Sequence, residues 1–285
     1  MKTQLYTRFT LLPGAHHHQS FHNRQDMYHA AFVRTEHGDV EVAVVGCDGC
    51  SQSSNAEIGA GLAAYYAAET LVDLVSAYGM EDGTAVDLLH SAMREYLRGI
   101  IALQPHGAFY LERLDAERHG GPPMDVDSDY RLQQVLNWIG NHLLFTVVGA
   151  YFGTGGLLTF QRGDGGYAAD DNVYVEDHRD MPPYMAYMFF PRQKIAEGEA
   201  RLRERNLPGL PPPGFNSCYT PEVKRAAIFT DGMPTGYIPA VWELLDPVDQ
   251  LEYRPDRLSR EARKWLREGL LRDDLFLAAF LREPL

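Results

Sequence analysis

The chain has 285 residues, 45% of them hydrophobic, and is therefore long and apolar enough to bury a sizeable core. Its formal net charge of −13 argues against nucleic-acid binding, which depends on basic surface. Three cysteines are too few for a disulfide framework, and no run of eighteen apolar residues predicts a membrane span. The N-terminal segment lacks the features of a signal peptide, so a cytoplasmic protein is expected.

The first third of the chain predicts strands followed by two long helices. Alternating or β-branched apolar residues are typical of strands over 3–12, 27–35 and 40–47. An Ala-rich helix is predicted over 58–78, with Asn55 as its cap and small residues that allow close packing on a sheet. A second, amphipathic helix is predicted over 82–103.

The middle of the chain predicts a loop, a short helix and a further group of strands. Residues 104–129 are rich in proline, glycine and charge, which favours a mobile insertion loop. A short helix is predicted over 130–139. Strands are predicted over 142–152, 156–162 and 172–176. The glycine-rich residues 153–156 indicate a hairpin turn between the first two of these strands.

The last third predicts an irregular segment and then a compact group of elements. Residues 178–221 contain several prolines and are expected to be flap-like, apart from a charged helix over 192–206. The elements predicted after them are a strand over 225–230, helices over 238–245 and 259–269, and a strand over 275–281. This order favours an α+β fold with mainly antiparallel pairing, in a single domain over 1–285.

Acidic residues stand at the ends of several predicted strands. They are Asp48, Asp164 and Asp231, which follow strands, and Asp273 and Asp274, which precede the final strand. A single Asp-Gly pair is more often plain turn chemistry. Several carboxylates directed to one place would suit hard divalent cations, which prefer oxygen ligands. Two such ions held close together activate a water for attack on phosphorus.

Five short motifs occur in order along the chain. They are Gln25-Asp26, Gly46-Cys47-Asp48-Gly49, Thr146 with Gly163-Asp164-Gly165, Thr230-Asp231-Gly232, and Asp273-Asp274-Leu275. Each motif is weak alone, but together and in this order they resemble the protein phosphatase 2C family, especially its divergent bacterial branch. The resemblance extends over nearly the whole chain.

This resemblance implies both a fold and an activity. The implied fold is an αββα sandwich of two mainly antiparallel sheets flanked by helix pairs. The implied activity is that of a phosphoprotein phosphatase, which hydrolyses phosphoserine and phosphothreonine with a water activated by two Mn²⁺ or Mg²⁺ ions. A covalent phospho-enzyme is not expected. The implied partner is a phosphorylated protein, the product of a Ser/Thr kinase, in a signalling role.

The resemblance also implies roles for individual residues. Asp48 would bridge the two ions, and the carbonyl of Gly49 would bind one of them. Asp231 and Asp273 would bind the other ion. Asp26 would lie next to these ligands without binding an ion directly. A more weakly bound third ion would be held by Asp164.

Several positions depart from the family pattern. The usual Glu before Asp26 is Gln25, and the arginine that often binds phosphate is replaced by Phe21. The family's Gly-Asp-Ser-Arg is reduced to residues 163–166, and the Thr of the last motif is Phe276. The expected metal ligands are kept while positions that contact substrate are not. The alternative function is therefore a pseudophosphatase, a regulatory binding module that keeps the fold.

Other motifs admit competing interpretations. Cys47 and Cys50 form a CxxC, which could be a redox pair or half of a zinc site, but two small residues flanking a turn is the commoner reason. His16, His17, His18 and His22 could touch a metal or phosphate, although surface histidines are commoner. The glycines at 59–61 and 153–156 lack the full pattern of a nucleotide-binding loop. The run at 184–190 is expected to be a buried segment or flap.

Overall fold

A computed structural model describes residues 3–14, 25–51, 53–178, 182–205, 209–210, 213–245, 256–271 and 273–284. The strands are β1 (Thr3–Leu12), β2 (Met27–Arg34), β3 (Val40–Gly49), β4 (Phe145–Gly153), β5 (Gly156–Arg162), β6 (Gly165–Ala169), β7 (Asn172–Glu176), β8 (Asn216–Pro221), β9 (Arg225–Phe229) and β10 (Leu275–Pro284). The α-helices in this part of the chain are α1 (Ala56–Tyr78), α2 (Thr84–Ala102), α3 (Gly107–Arg118), α4 (Tyr130–His142), α5 (Arg192–Glu204), α6 (Ile238–Leu245) and α7 (Arg257–Arg267). Two 3₁₀ helices span Met185–Phe189 and Thr235–Tyr237.

The strands form two antiparallel sheets of five strands each. The first sheet has the order β1-β10-β9-β6-β7, and the second has the order β2-β3-β4-β5-β8. Short hairpins join β2 to β3 and β4 to β5, whereas β1 and β10 pair across almost the whole chain length, with Thr3 opposite Pro284. The predicted α+β class with mainly antiparallel pairing is confirmed.

Successive side chains of the central strands pack into different cores, one between the two sheets and one between each sheet and its helices. In β3, Val42 and Val44 face the other sheet, while Ala43, Val45 and Cys47 pack against the helices α1 to α4. The two faces of β10 divide in the same way, because successive strand side chains point to opposite faces. The helices α6 and α7 cover the outer face of the first sheet. The αββα sandwich is therefore confirmed.

The long helix α1 packs its small residues onto the second sheet. A Cβ atom on Gly59 would lie 1.9 Å from the carbonyl oxygen of His142, so glycine is required for this close approach. By length and composition alone α1 could cross a membrane, but its alanine-rich face is buried in the sandwich core. Asn55 is the N-cap residue of this helix, as expected, but its side chain donates to Ser54 Oγ and makes no capping hydrogen bond.

Two segments are more regular than the sequence predicted. The expected loop at 104–129 contains α3, which buries Tyr110, Leu111 and Leu114 at helical spacing and bonds Tyr110 Oη to the carbonyl of Phe189 at 2.8 Å. Neighbouring prolines, glycines and charges concealed this pattern. The expected irregular segment at 178–221 contains β8, whose polar residues gain their strand conformation by pairing with β5. The run at 184–190 is buried in part, as expected, through Met185, Ala186 and Phe189.

Candidate metal centre

The antiparallel registers bring several chain segments to one end of the sandwich. Met27 at the start of β2 pairs with Cys47 near the end of β3, and Gly49 pairs with Phe145 at the start of β4. In the first sheet, the end of β9 pairs with the start of β10 through Phe229 and Leu277. Strand ends that are far apart in sequence therefore meet, and with them the acidic residues that flank these strands.

Asp26 and Asp48 form the buried part of this acidic cluster. Asp26 is fully buried, and its Oδ2 accepts a hydrogen bond of 2.7 Å from Thr230 Oγ1. Unless a proton bridges it to Asp48, Oδ1 of Asp26 has no hydrogen-bond donor among the described residues. Burial and the nearby Asp274 and Asp273 raise the pKa of Asp26 to about 7, against the hydrogen bonds from Asp48 and Thr230. Burial, then Asp26 and Asp231, raise the pKa of Asp48 well above its ordinary value.

Asp231 and Asp273 form the solvent-facing part of the cluster. Both side chains are exposed. Partial desolvation, followed by repulsion from Asp273, Asp26 and Asp164, still raises the pKa of Asp231 to about 7. Because Asp48 also interacts with Asp231 and Asp273, the three predicted ligands converge on one region, as the motif order predicted.

Asp274 has a different environment from its neighbour Asp273. It is buried, its Oδ1 accepts from the backbone N–H of Gly14 at 2.8 Å, and its Oδ2 accepts from the N–H of Gln25 at 2.6 Å. The side chain therefore joins the chain after β1 to the chain before β2. Asp273 instead accepts from the N–H of Asp274 and is exposed.

The glycines of the two Asp-Gly pairs permit close backbone approach rather than an unusual φ angle. A Cβ on Gly232 would lie 1.9 Å from the carbonyl oxygen of Asp274, and a Cβ on Gly49 would lie 2.9 Å from the Cβ of Ala56. The turn around Asp164 is different, because Gly163 and Gly165 have φ angles of 98° and 135°, which favour glycine.

Asp164 lies at the side of the cluster. Its Oδ1 accepts the backbone N–H of His178, and its pKa is raised by burial and by the nearby Asp177 and Glu176. Asp164 is linked to the other acidic residues through its repulsion of Asp231. The predicted site residues Asp26, Asp48, Asp164, Asp231 and Asp273 thus occupy one acidic end of the molecule.

The donor set fits divalent cations in its chemistry. Among the described residues, Asp26, Asp48, Asp231 and Asp273 form no ion pair with a lysine, arginine or histidine. The four carboxylates therefore repel one another, and Oδ1 of Asp26 is buried without a donor from the described residues. Bound cations would relieve both unfavourable features. In the described ranges, no three His, Cys, Asp or Glu side chains are close enough to hold one ion as they stand.

Sequence reasoning missed the residues that support this cluster. Thr230 was visible only as part of the Thr-Asp-Gly motif, yet it holds Asp26 and also accepts from the N–H of Phe276 at 2.9 Å. Tyr184 gave no signal; its phenol lies beside Cys50 and Asp48, and burial with these neighbours raises its pKa.

The three cysteines are free thiols in different environments. Cys47 is buried against the helices, Cys50 is half-buried, and Cys218 is exposed on β8. The CxxC residues therefore lie on either side of Asp48 and Gly49, the last two residues of β3 rather than the turn that the sequence suggested, and do not bond to each other. The four histidines at 16–18 and 22, together with Phe21 and Arg24, lie outside the described residues.

Comparisons with known proteins agree with this architecture. The family model described as protein phosphatase 2C matches residues 13–270. No curated protein is significantly similar to the chain. A solved bacterial serine phosphatase is 12% identical, with 98% of each chain covered and a TM-score of 0.50. The serine/threonine phosphatase Stp1 from Staphylococcus aureus is 13% identical, with 100% of this chain and 97% of that chain covered and a TM-score of 0.47. At 12% identity, the match to the bacterial serine phosphatase shows a shared fold.

Proposed function

The chain belongs to the protein phosphatase 2C family, and we propose that it is a metal-dependent phosphatase of phosphoserine and phosphothreonine in proteins. The observation that carries the proposal is the convergence of Asp26, Asp48, Asp231 and Asp273 without a cationic partner in the described part of the chain. Such a cluster repels itself unless protons or metal ions neutralise it.

The proposed ligands are distributed over both sheets. Asp48 would bridge two Mn²⁺ or Mg²⁺ ions, the Gly49 carbonyl would bind one, and Asp231 and Asp273 would bind the other. Asp164 would hold a weaker third ion. When bound, such ions lower the pKa of water and stabilise negative charge on phosphoryl oxygens.

The reaction is hydrolysis of a phosphomonoester. A bond forms between the water oxygen and phosphorus, the bond between phosphorus and the serine oxygen breaks, and the serine oxygen takes a proton. The products are the free hydroxyl and inorganic phosphate. The chain's own contribution is positional: Thr230 orients Asp26 toward Asp48, and Asp274 fixes the segment that carries Asp26.

One observation favours the alternative of a regulatory pseudophosphatase. Phe276 replaces the family's threonine in the last motif; it is fully buried and stacks on Tyr28 with ring centroids 5.1 Å apart. A buried ring offers no contact to phosphate, so substrate recognition must use other residues. In either case the expected partner is a phosphorylated protein made by a Ser/Thr kinase, and a cytoplasmic location is an expectation from the sequence.

The test is hydrolysis of an aryl phosphate by the full chain with Mn²⁺, repeated with a chelator. Turnover that requires Mn²⁺ supports the enzyme. Mn²⁺ binding without turnover of either an aryl phosphate or a phosphoserine peptide selects the pseudophosphatase. Full turnover in chelator contradicts the metal-dependent mechanism.

A further inference from the structure

A groove lies between the two sheets where β7 and β8 form their edges. Its volume is about 420 Å³. From the first sheet it is lined by Tyr167 and by β7, and from the second sheet by Gln161 and by residues 216–218. The rings of Tyr167 and Tyr174 stack with centroids 4.7 Å apart, and the Tyr167 hydroxyl contacts the thiol of Cys218, which belongs to the second sheet.

β7 is an edge strand with an unusually exposed apolar surface. Within the described residues it pairs only with β6, and Val173, Tyr174 and Val175 are 40%, 48% and 50% exposed. An edge strand leaves backbone N–H and C=O groups unpaired, which makes it a template for another extended chain. The five residues of β7 span about 17 Å, at roughly 3.3 Å per residue, which is enough to pair with a short peptide segment.

The groove leads toward the acidic cluster. Glu176, the last residue of β7, pairs with Gly165, which directly follows Asp164. Two residues beyond Glu176, the backbone N–H of His178 is held by the Asp164 carboxylate. A chain lying along β7 therefore arrives at the side of the proposed metal centre.

The end of the groove nearest the cluster is negatively charged. The Glu176 carboxylate lies 3.3 Å from His178 Nε2 and accepts a hydrogen bond from the Asn216 side-chain amide. The Asn216 bond, 2.5 Å long, crosses from the second sheet to the first. Asp164 and Asp177 lie near the same carboxylate. Among the described residues near this end, the carboxylates of Glu176 and Asp164 lie beside His178, and their negative charge favours a basic occupant.

We propose that this groove binds a basic, extended segment of the phosphorylated protein, adjacent to the phosphorylated residue and paired with the free edge of β7. The apolar and aromatic walls accept alternate side chains of the segment, and Glu176 selects arginine or lysine near its phosphorylated end. The inference rests on the proposed function only for the phosphate, because segment binding itself requires no turnover.

Alkylation of Cys218 tests the proposal without an activity assay. The thiol is exposed in the groove, so an occupant must shield it. The probe is a phosphoserine peptide of about ten residues with flanking arginines, and its control is the same peptide with glutamates in their place. Site-resolved mass spectrometry follows iodoacetamide labelling of the full chain. We expect the arginine peptide to slow Cys218 alkylation by about tenfold and the glutamate peptide to have little effect.

Two variants examine the cause of the protection. Glu176→Gln keeps the side-chain shape and should abolish the preference for the arginine peptide. Tyr174→Ser opens one wall and should weaken protection by both peptides. Tyr130 is an exposed tyrosine on α4 outside the groove, so Tyr130→Ser is the matched control and should behave as wild type.

Equal protection by both peptides, or none by either, would overturn the proposal. Protection in a protein that lacks phosphatase activity would reject the catalytic function and leave the groove assignment standing.

Discussion

Thr230 donates a hydrogen bond of 2.7 Å to Asp26, a residue 204 positions earlier in the chain. The bond connects the end of β9 in one sheet to the start of β2 in the other. It places a fully buried carboxylate beside Asp48 at the centre of the acidic cluster. The cluster thus depends on a tertiary contact between sheets rather than on any one motif.

Replacing Thr230 by valine keeps the side-chain shape and removes the hydroxyl. Asp26 Oδ2 and the N–H of Phe276 would both lose their partner, so we expect the free energy of unfolding to fall by about 1–3 kcal/mol. Denaturant unfolding measures this change. Thr230→Ser, which retains the hydroxyl, is the control and should recover most of the loss; a valine variant as stable as wild type would contradict the role of this bond.

Asp231→Asn should abolish Mn²⁺-dependent turnover without unfolding the chain. The substitution removes one ligand charge from an exposed side chain and changes little packing. Steady-state kinetics with an aryl phosphate, combined with circular dichroism, measures both properties. Undiminished activity in a folded Asp231→Asn protein would refute the proposed role of this residue in metal binding.

Asp273→Ala should mainly change metal binding, whereas Asp274→Ala should mainly change the stability of the fold. Asp273 is a proposed metal ligand, so its loss should weaken Mn²⁺ binding by about tenfold or more. Because the residue is exposed, stability should change by only about 0.5 kcal/mol. Asp274 is buried and accepts two backbone N–H groups, so its loss should destabilise the fold by about 1–3 kcal/mol for each N–H left unpaired. Calorimetric Mn²⁺ titration and thermal unfolding of both variants decide the matter. If Asp274→Ala retains full stability while its Mn²⁺ binding is lost, the two roles are reversed.

Without metal, stability should decrease as the pH rises from about 4 to about 7. The folded state keeps protons on Asp26 and Asp231 up to a pKa of about 7, whereas the unfolded chain releases them near the ordinary value of 3.8. Folding therefore takes up protons in this range, and the free energy of unfolding falls with rising pH, by at most about 1.4 kcal/mol per pH unit for Asp26.

Thermal unfolding in chelator between pH 5 and pH 8 measures this dependence. Excess Mn²⁺ should reverse it, because cations bind the ionised carboxylates of the folded state only. Asp26→Asn is the matched control and should flatten the curve in chelator. A wild-type melting temperature that rises with pH in chelator would be incompatible with a self-repelling cluster.

Much of the fold could be predicted because its signals are local. The β-branched apolar residues of β3, the apolar run of β10, the alanine-rich face of α1 and the Asp-Gly pairs at strand ends all appear within a few neighbouring residues. The strand β8 could not be predicted in this way, because its polar, exposed residues become a strand only through pairing with β5.

The site could be predicted only as a set of candidate carboxylates. Their positions at strand ends were visible, and the antiparallel registers do bring them together. The resemblance already assigned metal binding to Asp273 rather than Asp274. The hydrogen bonds that hold Asp274 were not visible, since they come from the N–H groups of Gly14 and Gln25, which lie about 250 residues earlier. Such long-range hydrogen bonds follow from how the two sheets stack, which no local pattern specifies.

The central claim is that the acidic end of the sandwich binds divalent cations through Asp48. Calorimetric titration of Mn²⁺ into the chelator-treated wild type and into Asp48→Asn tests it most directly, because the readout does not depend on turnover. We expect the wild type to bind two ions and the Asp48→Asn variant to lose high-affinity binding while its fold stays intact. Equal Mn²⁺ binding by both proteins, or no binding by the wild type, would contradict it.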